Sequence, residues 1–160
     1  MNTISGIRQD SHRFIENGDE KPLILGGALF EGTGLIANSD GDVVLHAITN
    51  AISGITTVNV LGTIADEMCN SGITDSAEYL RETLKYMTQK HMRLQHLSIS
   101  IECKKPKITP KIEEMRKRIA AICGILPEQI GITATSGEEL TEFGKGHGIA
   151  ALCIVTAAAL

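Results

Sequence analysis

Ser39-Asp40-Gly41-Asp42-Val43-Val44-Leu45-His46-Ala47 is the stretch from which the architecture can be read. Small and acidic residues stand directly before an apolar run. That order predicts a helix start, with Ser39 as N-cap and Asp40 and Asp42 set against the positive end of the helix dipole. Val44, Leu45, Ile48, Ala51 and Ile52 follow at helical spacing, so one face of this helix is expected to be buried. Towards the N-terminus, Leu23-Ile24-Leu25 before Gly26-Gly27 reads as a strand entering a turn. On the other side, residues 62–74 mix Gly, Asn and Ser with the acids Asp66 and Glu67, and read as an irregular loop that could serve as a lid. Asp75-Ser76 opens a second helix carrying Tyr79, Leu80, Leu84 and Met87, and Leu97 to Ile101 alternates like a half-buried strand. Pro106 and Pro110 bracket the start of a third helix, Lys111 to Cys123, with Ile112, Met115, Ile119 and Ile122 on one stripe. Ile130 to Thr133 reads as another strand.

The nearly uncharged run from Gly148 to Leu160 is too short for a bilayer crossing, which needs ~20 residues, and is expected to be a buried strand. Strands alternating with helices predict an α/β chain, an α+β two-layer sandwich with a mixed sheet and helices on one face, forming one domain over 1–160. The 15 Lys+Arg and 19 Asp+Glu are interspersed, so neither a nucleic-acid partner nor a membrane partner is expected. The first residues lack the basic and apolar regions of a secretory signal, and the cytoplasm is the expected compartment. Four cysteines lie far apart without a Cys-x-x-Cys pair, so inert thiols are expected. Only 3% of the residues are aromatic, and an aliphatic core of this size gains from further burial in an oligomer.

Chemistry concentrates at three residues. Asp10 and His12 are separated by one residue and share a face if they lie on a strand. His46, early in the first predicted helix, is placed to point back at them. Two imidazoles and a carboxylate leave one tetrahedral position open, as in catalytic zinc sites. On spacing alone, a hydrogen-bonded, half-buried histidine at position 46 is the favoured reading.

Asp10-Ser11-His12 and the segment from Ser39 to Ala47 resemble the two signature segments of the 2-C-methyl-D-erythritol 2,4-cyclodiphosphate synthase family. Gly26-Gly27, Asp75-Ser76, Lys105-Pro106-Lys107 with Pro110, Met115-Arg116 and Gly144 to Ala150 extend the likeness over nearly the whole chain. The resemblance implies a homotrimer with its sheets facing a central axis and its active sites at subunit boundaries. It implies attack of the substrate's 2-phosphate on the β-phosphate of a cytidyl diphosphate, closing an eight-membered cyclic diphosphate and releasing CMP. It further implies zinc, manganese or cobalt on Asp10, His12 and His46, and magnesium held with the substrate diphosphate by Glu138. Thr135 and Glu138 take the catalytic positions. Asn38, Ser39, Asp42, Ala134, Ser136 and Lys145 fall at substrate-binding positions, and Cys103, Lys107, Ile108 and Thr109 in the cytosine and phosphate pocket, where backbone groups read the base. The chain departs from the family pattern at Asn38, where a histidine is customary, at Glu139, where a lysine is, at Lys145, where an arginine is, and through 59–68. Those departures keep a second implication open, a metal-binding trimeric paralogue that binds nucleotide or isoprenoid diphosphate without turnover. A generic metal-dependent phosphohydrolase is the third.

Overall fold

The computed structural model describes residues 2–17 and 20–160, and at its centre is the helix that follows Asp42, α1 (Val43–Thr56). Its N-cap is Asp42 rather than Ser39. The Asp42 carboxylate accepts the Leu45 N–H at 3.0 Å, whereas Ser39 Oγ accepts from Gly41 N–H and closes the preceding turn. Gly41, at φ +79°, lets the chain pivot between the two, and a Cβ there would lie 3.1 Å from the Leu35 carbonyl oxygen. Val43 to Thr49 are all buried, so α1 is enclosed on every side and not only along its apolar stripe.

The main sheet has four strands in the order β1 (Thr3–Arg13), β6 (Gly148–Ala159), β4 (Met92–Glu102), β5 (Ile130–Thr135). β6 runs antiparallel to both neighbours, while β4 and β5 are parallel and joined through α4 (Ile112–Cys123). A small hairpin, β2 (Leu23–Leu25) and β3 (Ala28–Phe30), turns through Gly26 and Gly27, both at positive φ as a tight hairpin turn demands. The helices cover one face of the sheet. Leu97, Ile99 and Ile101 on β4 and Ile149, Ala151, Cys153 and Val155 on β6 point into that layer and are buried. Gly6 on β1 faces the same way, where a Cβ would sit 2.2 Å from the Ala51 carbonyl oxygen, so α1 and β1 approach as closely as they do because position 6 has no side chain. The two-layer sandwich with a mixed sheet is therefore the observed arrangement.

The stretch expected as an irregular loop is helical only at its centre. Leu61 (ψ 87°) and Gly62 (φ 173°, ψ −132°) lie outside the helical region, the chain then enters α2 (Ala65–Asn70), and the residues after it, up to Asp75, are irregular again. Asp66 and Glu67 stand in the first turn of α2, where carboxylates are favoured. Val60 and Ala65 bury themselves against Tyr79 in a satellite core, with Leu61, Ile64 and Met68 packed around them. The acids that read as loop polarity are thus helix-start residues. Asp75 caps α3 (Ser76–Gln89) as expected, and β4 begins five residues earlier than the alternation suggested because Met92 to His96 pair with the end of β6.

Candidate functional site

Asp10 and His12 both project from β1 towards α1, the side marked by Gly6, and His46 stands one turn into that helix. Three donor atoms meet there. His12 Nε2 lies 3.1 Å from His46 Nδ1, and each of these nitrogens lies 3.3 Å from Asp10 Oδ2. For a tetrahedral ion with donors at about 2.1 Å, two donors are about 3.4 Å apart, so this near-equilateral triangle has the dimensions of one face of a zinc site. Burial of Asp10 would raise its pKa, but the hydrogen bonds and positive potential of His12 and His46 outweigh it and hold the carboxyl well below the usual range. The carboxylate is therefore ionised and ready to act as a ligand.

The other nitrogen of His46 fixes its orientation. Nε2 lies 2.8 Å from Ser76 Oγ and 3.3 Å from Ser39 Oγ, and Ser76 Oγ donates in turn to Asp40 Oδ1 at 2.5 Å. Asp40 is itself anchored, accepting from Ser76 N–H and Asp42 N–H. With Nε2–H given to the serines, Nδ1 is left with its lone pair towards Asp10 and His12, the outer-layer arrangement that sets a metal ligand's tautomer. Ser76 was read from sequence only as the start of a helix, and nothing in spacing ties it to a histidine 30 residues earlier.

The three ligands line one wall of a cleft of about 450 Å³. Asn38 and Ser39 line another, and the segment before α2 and α2 itself contribute Gly62, Asp66 and Cys69. Asn38 is exposed in this cleft, and its carbonyl oxygen lies 3.4 Å from the Cys69 thiol. Asp42, expected at a substrate position, is instead fully buried beneath it. Its carboxylate accepts from the Gly26, Gly27 and Leu45 N–H groups at 2.8, 2.7 and 3.0 Å, joining the hairpin turn to α1. Burial pushes its pKa up to about 6, against the pull of those three donors. Asp42 is a structural residue with no surface to offer a ligand.

The remaining expected residues lie elsewhere. Ala134, Thr135 and Ser136 are exposed at the end of β5, the far edge of the sheet from β1. Ala134 shares a cross-sheet row with Asp10 through Ile101 and Ala151, three strand spacings or roughly 14 Å away. Glu138 follows in an exposed turn at φ +47°. Lys107 and Lys145 line a separate cleft of about 830 Å³ with Lys104 and Lys105. Thr109 is exposed, but Ile108 is buried, and Cys103 is buried with its N–H donated to the Thr135 carbonyl oxygen. Both side chains fold into the core while the 103–109 turn holds its lysines outward, so a ligand at these two positions would meet backbone groups, as the resemblance implies. Burial raises the Cys103 thiol to about 11, and those of Cys123 and Cys153 to about 12, so these thiols are protonated and inert at neutral pH. Glu139, the charge reversal noted in the sequence, pairs with Lys104 at 2.9 Å, so the acid meets a cation that the pattern had not flagged.

A sequence profile of the YgbB family matches residues 3–158. The 2-C-methyl-D-erythritol 2,4-cyclodiphosphate synthase of Chlamydia trachomatis serovar L2b is 52% identical over 153 residues, covering 94% of this chain and 85% of that protein. The synthase of the same name from Chlamydia caviae is 48% identical, covering 96% and 88%. Among solved structures, the bifunctional IspDF from Campylobacter jejuni superposes with a TM-score of 0.89 at 28% identity, covering 99% of this chain and 43% of that one. The IspF of Plasmodium falciparum in its CDP complex superposes at 0.85 with 24% identity, covering 98% and 96%, and shares the fold.

Proposed function

Because this chain belongs to the YgbB family, we propose that it does what the name of its relatives at 52% identity states, forming 2-C-methyl-D-erythritol 2,4-cyclodiphosphate. It is an enzyme, a metal-dependent cyclase acting on 4-diphosphocytidyl-2-C-methyl-D-erythritol 2-phosphate in the non-mevalonate route to isoprenoids. An oxygen of the 2-phosphate bonds to the β-phosphorus, the bond from that phosphorus to the CMP oxygen breaks, and CMP leaves with the electron pair. The observation that carries the reading is the donor triangle of Asp10, His12 and His46, backed by the Ser76 and Asp40 relay.

Phosphoryl transfer of this type asks the protein for positioning and charge neutralisation rather than for a nucleophile. Asp10, His12 and His46 would hold zinc, manganese or cobalt, and Glu138 a magnesium ion with the diphosphate, which would orient and neutralise the phosphates. The chain's own groups do the rest. The exposed Asn38 offers its amide as a donor to the metal cleft, and Ser39 Oγ stands 3.3 Å from His46 Nε2. Thr135 and Ser136 offer hydroxyls to the diphosphate, and Lys107 and Lys145 supply cations to its nucleotide end. Measurement is direct: incubation with the cytidyl substrate, zinc or manganese, and magnesium should give CMP and the cyclic diphosphate by phosphorus NMR. Binding of cytidine nucleotide and metal without CMP release would instead support the non-catalytic paralogue.

The assembly is part of the same reading. The metal cleft and the lysine cleft share no lining residue, and Ala134 stands roughly 14 Å from Asp10 across the sheet, so one bound substrate is best served by residues of two chains. The sheet face away from the helices leaves Ile7 at 63%, Ile154 at 42% and Leu152 at 40% exposure, with Ile7 directly opposite Ile154. An uncovered apolar strip of this kind suits a homotrimer whose sheets face a common axis. Light scattering at low micromolar concentration should give three times 17.1 kDa. A monomer that still turns over substrate would remove the shared-site arrangement. Among the described residues, no helix is long and apolar enough to cross a membrane.

A further inference from the structure

The 830 Å³ cleft gathers four lysines, Lys104, Lys105, Lys107 and Lys145, around Phe14 and Thr33, with Glu31 as an acidic lining residue. Among the described residues, Lys105 and Lys107 have no carboxylate within 4.0 Å, and Lys145 shares Glu142 with His147. Lys104 is held at its backbone and again at its ammonium. Its backbone N–H donates to the Phe143 carbonyl oxygen at 3.2 Å, and its stem passes over Gly146, where a Cβ would lie 3.5 Å from Lys104 Cδ. Its Nζ donates to Glu139 Oε1 at 2.9 Å, yet the side chain stays 43% exposed towards the cleft. An ammonium has three donors, and a single carboxylate oxygen takes one of them.

Glu139 sits where a side chain is costly to place. Gly137, Glu138 and Glu139 follow one another at φ +75°, +47° and +62°, so two non-glycine residues are held in the left-handed region. The turn is secured by Thr135 Oγ1 accepting from Gly137 N–H and Ser136 Oγ accepting from Glu138 N–H. It aims Glu139 at Lys104 across the mouth of the cleft.

Resting on the proposed function, we propose that Lys104 binds the phosphate groups of a nucleoside diphosphate entering this cleft, and that Glu139 is a positioning residue acting through Lys104. The pair spends one ammonium donor to fix the head group and leaves two for phosphate oxygens. A lysine must give up rotamer freedom on binding, and the contact with Glu139 restricts the Lys104 head group in advance.

The test is titration of CDP into the full-length protein and its variants by calorimetry at several salt concentrations, alongside substrate turnover. Lys104→Gln should weaken CDP binding about 10-fold, the loss of one charge-assisted contact, and flatten its dependence on ionic strength. Lys104→Arg should stay within about twofold of wild type. Glu139→Gln should weaken binding about threefold, and the double variant should bind no more weakly than Lys104→Gln alone, because Glu139 has nothing left to position. A Lys104→Gln protein that binds CDP like wild type overturns the proposal, as does full additivity of the two substitutions or a wild type that does not bind CDP. A wild type that binds CDP with this pattern but releases no CMP from the cytidyl substrate sinks the synthase reading and leaves the role of Lys104 standing.

Discussion

His46→Gln should strip the protein of its transition metal and lower CMP release by more than ~100-fold, since loss of outer-shell partners alone costs 10- to 100-fold at such sites and this change removes a direct ligand. The geometry gives the reason. His46 Nδ1 closes a triangle of donors with 3.1 and 3.3 Å sides, and Asp10 with His12 alone would offer only two ligands from one strand. Glutamine keeps most of the buried volume beside Ser39 and Ser76, so the fold should survive and circular dichroism should be unchanged. Metal analysis after dialysis is the deciding measurement, read beside turnover with metal added back. Ser76→Ala serves as the graded control, because it leaves all three donors and removes the hydroxyl that orients the ring and that donates to Asp40. Undiminished metal in His46→Gln would show that the ion is held elsewhere, and the triangle would then be a hydrogen-bonded cluster.

Asp42→Ala should cost about 4 kcal/mol of folding stability, because three backbone donors lose their acceptor and two of them are fully buried. For a chain of this size that corresponds to a melting temperature lower by roughly 8–16 °C. The loss is structural at two places at once, since the same carboxylate caps α1 and ties down the Gly26-Gly27 turn. Asp42→Asn separates the charge from the shape. Burial raises the folded-state pKa of Asp42 to about 6, above its unfolded value. The folded protein therefore binds this proton more tightly, and the resulting stability is present below about pH 4 and lost as pH rises to about 6. Subtracting the Asp42→Asn curve from the wild-type curve should leave a difference that falls over that window and is flat above it. The subtraction matters because Asp10, with its lowered pKa, contributes the opposite slope at acid pH. A melting temperature within ~3 °C of wild type for Asp42→Ala would mean that water replaces the carboxylate and that the cap contributes little.

Asp42 also shows where reading from sequence changes its meaning. Its position and type marked both a helix start and a ligand position, and only the three-dimensional packing decides between them. The hairpin turn comes down over the helix end, and its two N–H groups together with that of Leu45 engage both carboxylate oxygens. Ser39 changes in the same way, from the expected cap to a partner of Gly41 and of His46.

The sequence by itself determined the elements whose cause is local. Strand alternation in β1 put Asp10 and His12 on one face, the apolar spacing after Asp42 put His46 in a buried helix, and Asp75 capped α3 as its type demands. Each follows from backbone periodicity or from a hydrogen bond spanning three residues or fewer. Only the tertiary structure decided the rest. The Ser76 and Asp40 support for His46, the Lys104 and Glu139 pair and the burial of Asp42 under Gly26 and Gly27 all join residues 15 or more positions apart. The helical state of 65–70 belongs with them, because its mixed polar and apolar composition is neutral towards helix on its own. It becomes favourable when Tyr79 offers Val60 and Ala65 a surface to bury against, and that surface exists only once α3 has packed on α1.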